Sequence, residues 1–149
     1  MGEGLTKAAA RNIFYGGSLF FLVVFVGLVL HSHFYALGPA TGAPLTEAVE
    51  RGKRVWEENA CINCHTLLGE GAYYAPELAN VMTRWGVADD PDAAFEILKA
   101  WMDSQPSNIE GRRQMPQFNL TDEQVRALAA FLLFVDKIDA QGWPPNEAG

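Results

Sequence analysis

The stretch Cys61-Ile62-Asn63-Cys64-His65 decides how this chain is organised. Two thiols separated by two residues and followed at once by an imidazole are the spacing that attaches a c-type haem. The thiols add across the two vinyl groups of the porphyrin, and the imidazole becomes the proximal iron ligand. Cys61 and Cys64 are the only two cysteines of the chain. We therefore predict one covalent haem c held by Cys61 and Cys64, with His65 on the iron.

A zinc site and a redox-active dithiol are the alternatives for this cysteine pair. Structural zinc takes four ligands, but the other histidines, His31 and His33, lie inside an apolar run far from the motif. A thioredoxin-like dithiol belongs to a βαβ pattern, which the surrounding residues do not show. The haem interpretation is favoured over both.

The charged residues divide the chain into two parts. Its 149 residues suffice for one domain with an appendage, and no Asp, Glu, Lys or Arg stands between Arg11 and Glu47. Beyond Arg11 lie 17 of the 18 acidic residues and nine of the 11 basic ones, a net charge of −8. This acidity argues against nucleic acid or anionic lipid as the main partner.

An apolar run at residues 13–37 is long enough to cross a membrane, since about 20 helical residues span the ~30 Å hydrocarbon layer. A cleaved signal peptide usually has only about 7–15 apolar residues, so we predict an anchor. Positive charge before the run places residues 1–12 in the cytoplasm. Residues 38–45, rich in Gly and Pro, read as a linker. Residues 46–149 then form a mono-haem domain on the periplasmic side of the bacterial cytoplasmic membrane, where c-type haem is attached.

The domain after the linker is predicted to be all-α, because no period-two alternation is long enough for a sheet. Thr46 and the 89–92 segment offer helix caps, and Thr121 with Gln124 matches a capping box. Residues 66–76 are predicted to be a loop because of their glycines. The predicted helices cover residues 47–59, 77–85, 93–102 and 122–137, and Gly52 marks a place where a second helix could cross the first one closely.

The sixth iron ligand has three candidates besides Met1. Met82 and Met102 fall within predicted helices, where methionine more often fills the core. Met115, followed by Pro116, lies in an irregular stretch that can present its thioether to the iron. We predict His65 and Met115 as the two axial ligands, a pair that suits electron transfer. Candidates for binding the haem propionates are Tyr73, Arg84, Trp85, Arg112 and Arg113.

The anchor, the CINCH motif, the Gly69–Leu78 loop (GEGAYYAPEL) and Arg112–Pro116 (RRQMP) together resemble the cytochrome c subunit of bacterial respiratory nitric oxide reductase. The resemblance covers essentially the whole chain, and the GEGAYYAPEL loop combined with the anchor is its most specific part. It implies a class I cytochrome c domain packed on a large, membrane-embedded catalytic subunit.

The resemblance also implies a function. The large catalytic partner holds haem b, haem b3 and a non-haem iron, and it reduces two NO to N2O in denitrification. This chain would accept electrons from a soluble donor, a cytochrome c or a cupredoxin, and pass them to haem b of that partner. No residue of this chain would be catalytic.

Two further roles follow from the resemblance alone. The carbonyl of Pro76 steadies His65 through its ring N–H. Backbone carbonyls of Gly71 and Tyr73 help to hold a calcium ion at the subunit interface, since backbone oxygens suit this hard cation. From the residues themselves, the same loop could equally be a turn at the haem edge.

Three other functions stay open at the level of the sequence. One is a free-standing, membrane-anchored cytochrome c shuttle, for which a long flexible tether would be expected. Another is the mono-haem subunit of a related oxygen-reducing oxidase. The third is an enzyme or an NO sensor, which would need an open iron position.

Overall fold

The computed structural model describes residues 4–37, 42–140 and 142. It divides into two units, Met1–Ala40 and Thr41–Gly149. Part of the predicted linker, residues 38–41, lies outside the described residues. The elements are the helices α1 (Lys7–Leu37), α2 (Glu47–Glu58), α3 (Val81–Arg84), α4 (Pro91–Asp103) and α5 (Asp122–Asp136), a 3-10 turn (Cys61–Asn63), and the strands β1 (Thr66–Leu67) and β2 (Glu70–Gly71).

The first unit is the single helix α1. The helix begins six residues before the predicted apolar run, because the hydroxyl of Thr6 accepts a hydrogen bond from the amide of Ala9 at 3.2 Å. Its end at Leu37 coincides with the predicted end. The span Lys7–Tyr35 has a mean hydropathy of 2.5, and none of it is buried. This helix is long and apolar enough to cross a membrane.

In the second unit, α2 packs across α5. The predicted stripe on α2 is buried, and Gly52 lies at the crossing. A Cβ atom on Gly52 would stand 2.0 Å from the carbonyl oxygen of Ala127 and 2.6 Å from the Cβ of Phe131. Only glycine permits so close an approach, which confirms the predicted role of this position.

Capping side chains begin the three longer helices of this unit. The hydroxyl of Thr46 accepts from the amide of Val49, and the carboxylate of Asp90 accepts from the amides of Asp92 and Ala93. Thr121 and Gln124 form the predicted capping box, with both of its hydrogen bonds present. Helix α4 extends one or two residues beyond its predicted limits at each end, which is the usual uncertainty of helix ends.

Two local predictions are wrong. The helix expected over residues 77–85 is only the single turn α3, because the amide of Leu78 donates to the carbonyl of Thr66 and the side chain of Glu77 turns inward. The loop after His65 contains a two-residue antiparallel ladder, with Thr66 opposite Gly71 and Leu67 opposite Glu70. The fold is still mostly helical, since these strands are two residues long.

Candidate haem site

A cavity of about 460 Å³ lies between the CxxCH turn, α4, α5 and the loop before α5. Cys61, Cys64, His65 and Met115 all line it, although Met115 is 50 residues beyond His65 in the chain. The fold thus brings together the thiols, the imidazole and the thioether that the sequence predicted as haem ligands. Its volume is in the range of small-molecule and cofactor sites, about 300–1,000 Å³.

The CxxCH segment forms a tight turn that directs its side chains to one side. The amides of Cys64 and His65 both donate to the carbonyl of Cys61, at 3.1 and 2.9 Å. Burial raises the pKa of the Cys61 thiol to about 11. Redox-active dithiols have lowered pKa values, so this environment argues against the thioredoxin-like alternative.

The ring of His65 is held by the backbone and by an aromatic neighbour. Its Nδ1 lies 2.7 Å from the carbonyl oxygen of Pro76. Because a carbonyl only accepts, Nδ1 carries the proton and Nε2 keeps its lone pair for a metal. Burial lowers the pKa of His65, and the hydrogen bond to Pro76 opposes this shift. The ring of Trp56, 6.4 Å away between centroids, adds an apolar wall. The imidazole is therefore held neutral, as an iron ligand must be.

Glu77 is a buried carboxylate that the sequence analysis did not single out. Its side chain is 1% exposed and accepts hydrogen bonds from the hydroxyl of Thr66, at 3.1 Å, and the amide of Gly69, at 3.3 Å. Glu77 thus ties both sides of the β1–β2 hairpin to the residue after Pro76. The only sequence signal was an acidic residue between Pro76 and Leu78, which looks like an ordinary first-turn residue of a helix.

The structure separates the three methionines. Met82 is fully buried in the core and does not contribute to the described lining of the cavity. Met102, from α4, and Met115, from the loop, both line it. Position in the fold therefore leaves Met102 and Met115 as the two thioethers within the site.

Four of the five predicted propionate partners lie at the cavity. Arg84, Trp85, Arg112 and Arg113 line it, and the guanidinium of Arg84 already donates to the carbonyl of Glu77 at 2.7 Å. Tyr73 does not belong to the described lining, and its hydroxyl donates to the carbonyl of Gly69 at 3.2 Å. The prediction for Tyr73 as a propionate partner is wrong, because the hairpin turns its hydroxyl away from the site.

The lining fits a haem c. Aliphatic and aromatic side chains from several elements form its walls, as the apolar faces of a porphyrin require. Three arginines supply positive charge for two propionates. The paired thiols complete the set. The wall residues include Leu78, Val81, Leu98, Phe118, Leu128 and Leu132.

These helices, the CxxCH turn and this cavity define a c-type cytochrome, and the model of the cytochrome c family matches residues 49–136. The small, C-type subunit of nitric oxide reductase from Paracoccus denitrificans is 63% identical over 150 residues, and all of both chains is covered. Its counterpart in Cereibacter sphaeroides is 64% identical over 149 residues, and that in Halomonas halodenitrificans is 54% identical over 150, again with full coverage. The chain belongs to the cytochrome c family and, within it, to the family of these small nitric oxide reductase subunits. Its domain accordingly carries a covalently bound haem c.

Proposed function

We propose that this chain is the electron-transfer subunit of a nitric oxide reductase, which takes up electrons from a soluble donor and passes them to haem b of a catalytic partner subunit. The observation that carries the proposal is the shared cavity, since an imidazole, two thiols and a thioether line it together. With His65 and Met115 on the iron, both axial positions are filled, and such a haem exchanges electrons rather than binding substrate.

In this proposal each residue has a defined task. Cys61 and Cys64 form the thioether links, His65 ligates the iron through Nε2, and Pro76 fixes the ring by accepting from Nδ1. Met115 supplies the sixth ligand. When bound, the haem supplies a one-electron carrier, and the reduction of NO to N2O takes place at haem b3 and the non-haem iron of the partner subunit.

The partner subunit is proposed to contact the hairpin. Tyr73 is 56% exposed and Tyr74 is 48% exposed, although both are large aromatic residues. Exposed aromatic side chains close together are typical of protein interfaces. Here the carbonyls of Gly71 and Tyr73 would help to hold a shared calcium ion.

The membrane topology is part of the same proposal. Helix α1 would anchor the chain in the bacterial cytoplasmic membrane, with the N-terminus in the cytoplasm and the haem domain in the periplasm. The soluble donor, a cytochrome c or a cupredoxin, would reach the domain from the periplasm. The net negative charge of this domain would attract a donor with a basic surface.

Purification in mild detergent from native membranes tests the complex. The proposal expects two b-type haems for each haem c, and N2O formed from NO with a reduced donor. A lone haem c chain without a partner and without NO consumption would indicate the free-standing shuttle instead.

The axial ligand is tested by a matched pair of variants, Met115→Ala and Met102→Ala. Only Met115→Ala should keep covalent haem, lower its reduction potential and lose the optical band of methionine-ligated ferric haem. If Met102→Ala does this instead, Met102 is the ligand and the assignment of Met115 is wrong.

A further inference from the structure

Met115 is carried by a long segment without helix or strand. Residues 104–121 connect α4 to α5, and we call them the methionine loop. Irregular loops of more than about 12–15 residues are uncommon in compact domains and are usually functional. A neutral thioether would be a dependable ligand only if the loop that presents it were ordered.

The side chain of Gln114 holds this loop together. Its Oε1 accepts hydrogen bonds from the hydroxyl of Ser107, at 3.1 Å, and from the amide of Asn108, at 3.0 Å. Its Nε2 donates to the carbonyls of Ile109, at 3.0 Å, and Arg112, at 2.8 Å. A primary amide has two donor hydrogens and two acceptor sites. All four are thus used within residues 107–112, just before Met115.

Gln117 makes similar contacts on the other side of Met115. Its Nε2 donates to the carbonyls of Met102 and Gln105, each at 3.1 Å, and its Oε1 accepts from the amide of Asn119 at 3.0 Å. The part of the loop after Met115 is therefore joined to the C-terminal end of α4. The part before Met115 is folded on itself through the Gln114 side chain.

We infer that Gln114 is the positioning residue that keeps the Met115 thioether at the haem site and so closes the iron to small ligands such as NO and CO. This inference rests on the proposed role of Met115. Without the Gln114 amide, the preceding turn loses the hydrogen bonds that this side chain makes, and the loop gains conformations in which Met115 lies away from the cavity. A chain that works beside an NO-reducing site needs such closure, because its own iron must remain an electron carrier.

The test uses the full-length, haem-loaded chain in detergent and its Gln114→Ala variant. The ferrous haem of the variant should bind CO roughly tenfold faster or more completely, because losing the equivalent of one or more net hydrogen bonds shifts the open population by about this factor. In the ferric state, the optical band of methionine ligation should weaken. The reduction potential should fall towards that of Met115→Ala.

Two further variants separate positioning from general stability. Gln114→Glu keeps both accepted hydrogen bonds but loses the two donated ones, so it should give the same changes to a smaller extent. Gln124→Ala removes a glutamine that accepts from the amide of Thr121 at 2.9 Å, in the cap of α5. This control should lower the melting temperature while CO binding and the methionine band stay unchanged.

The outcomes are distinct. If Gln114→Ala lowers the melting temperature as Gln124→Ala does, but leaves CO binding, potential and methionine band as in the unmodified chain, Gln114 is merely structural and the inference is overturned. If Met115→Ala itself leaves the band intact, the proposed ligand is wrong and the inference falls with it. Loss of the band in Met115→Ala with an unchanged Gln114→Ala refutes only the role of Gln114.

Discussion

Replacing Glu77 by alanine would remove the buried carboxylate that ties the β1–β2 hairpin to the segment after Pro76. The hydroxyl of Thr66 is fully buried and donates to Glu77 at 3.1 Å, and the amide of Gly69 donates to it at 3.3 Å. The backbone carbonyl of Glu77, which accepts from Arg84, stays in place. The substitution therefore isolates the side-chain contacts.

The expected loss of stability follows from these two donors. Thr66 would be left as a buried donor without a partner, at a cost of about 1–3 kcal/mol, whereas water can reach the half-buried Gly69, so that its loss is about 0.5–1.5 kcal/mol. Together, Glu77→Ala should lower the free energy of unfolding by about 2–4 kcal/mol. This is a large part of the roughly 5–15 kcal/mol that stabilises an ordinary domain.

Urea unfolding of the full-length, haem-loaded chain, followed by tryptophan fluorescence, measures this loss. All four tryptophans lie after residue 41, so the signal reports on the haem domain and not on α1. Glu77→Gln keeps an acceptor for Gly69 and can donate to Thr66, and it should stay within about 1.5 kcal/mol of the unmodified chain. Glu70→Ala, an exposed position in the same hairpin, should change stability by no more than about 0.5 kcal/mol.

The results would refute this reasoning in two ways. An effect of Glu77→Ala no larger than that of Glu70→Ala would show that the buried hydrogen bonds do not hold the hairpin. An equal loss in Glu77→Gln and Glu77→Ala would show that the negative charge, and not the hydrogen bonding, is what matters.

Three further substitutions test other parts of the domain. Gly52→Ala would place a Cβ 2.0 Å from the carbonyl of Ala127, so urea unfolding should show a loss of about 1–3 kcal/mol or more as α2 and α5 separate; an unchanged midpoint would contradict the close crossing. Thr121→Ala removes the cap of α5 and should cost about 1 kcal/mol in the same assay, whereas no loss would mean that the capping box contributes nothing. Lys137 donates to Asp89 at 2.7 Å, and its hydrogen bond and charge lower the pKa of Asp89. Lys137→Met should raise that pKa towards its usual value in an NMR titration. Because the pKa of Asp89 is depressed by folding, the pair stabilises the domain above the unfolded pKa and ceases to do so as the pH falls through the folded one. A stability difference between the two chains that grew towards acid pH would contradict this pairing.

The order of the haem-binding segment depends on a glycine as well as on Glu77. Gly71 has a φ of +120°, and a Cβ there would stand 2.3 Å from the carbonyl oxygen of His65. The hairpin thus packs directly against the backbone of the proximal histidine. Contacts made with the hairpin by a partner protein would therefore bear on the segment that holds the haem.

Interactions between residues close together in the chain were predictable. The caps at Thr46 and Thr121 join side chains to amides three residues away, and such contacts follow from residue type and spacing. The buried stripe of α2 follows from the helical period in the same way. The CxxCH motif likewise requires only five consecutive residues to identify the haem site.

What only the tertiary structure decided are the contacts between distant segments. Residues 77–80 have the composition of a first helical turn, but the buried hydrogen bonds from Thr66 and Gly69 to Glu77 prevent it. Tyr73 is turned away from the cavity by the same hairpin. Met82 and Met102 both lie in helices, yet only packing decides that Met102 lines the cavity while Met82 fills the core.

The sequence by itself therefore determined that this is an apolar helix followed by a helical haem c domain, because spacing, capping and periodicity act over a few residues. The tertiary structure decided which side chains surround the haem cavity and how the loop of Met115 is held. Burial and long-range hydrogen bonding depend on which segments meet in space, and a pattern along the chain does not contain that information.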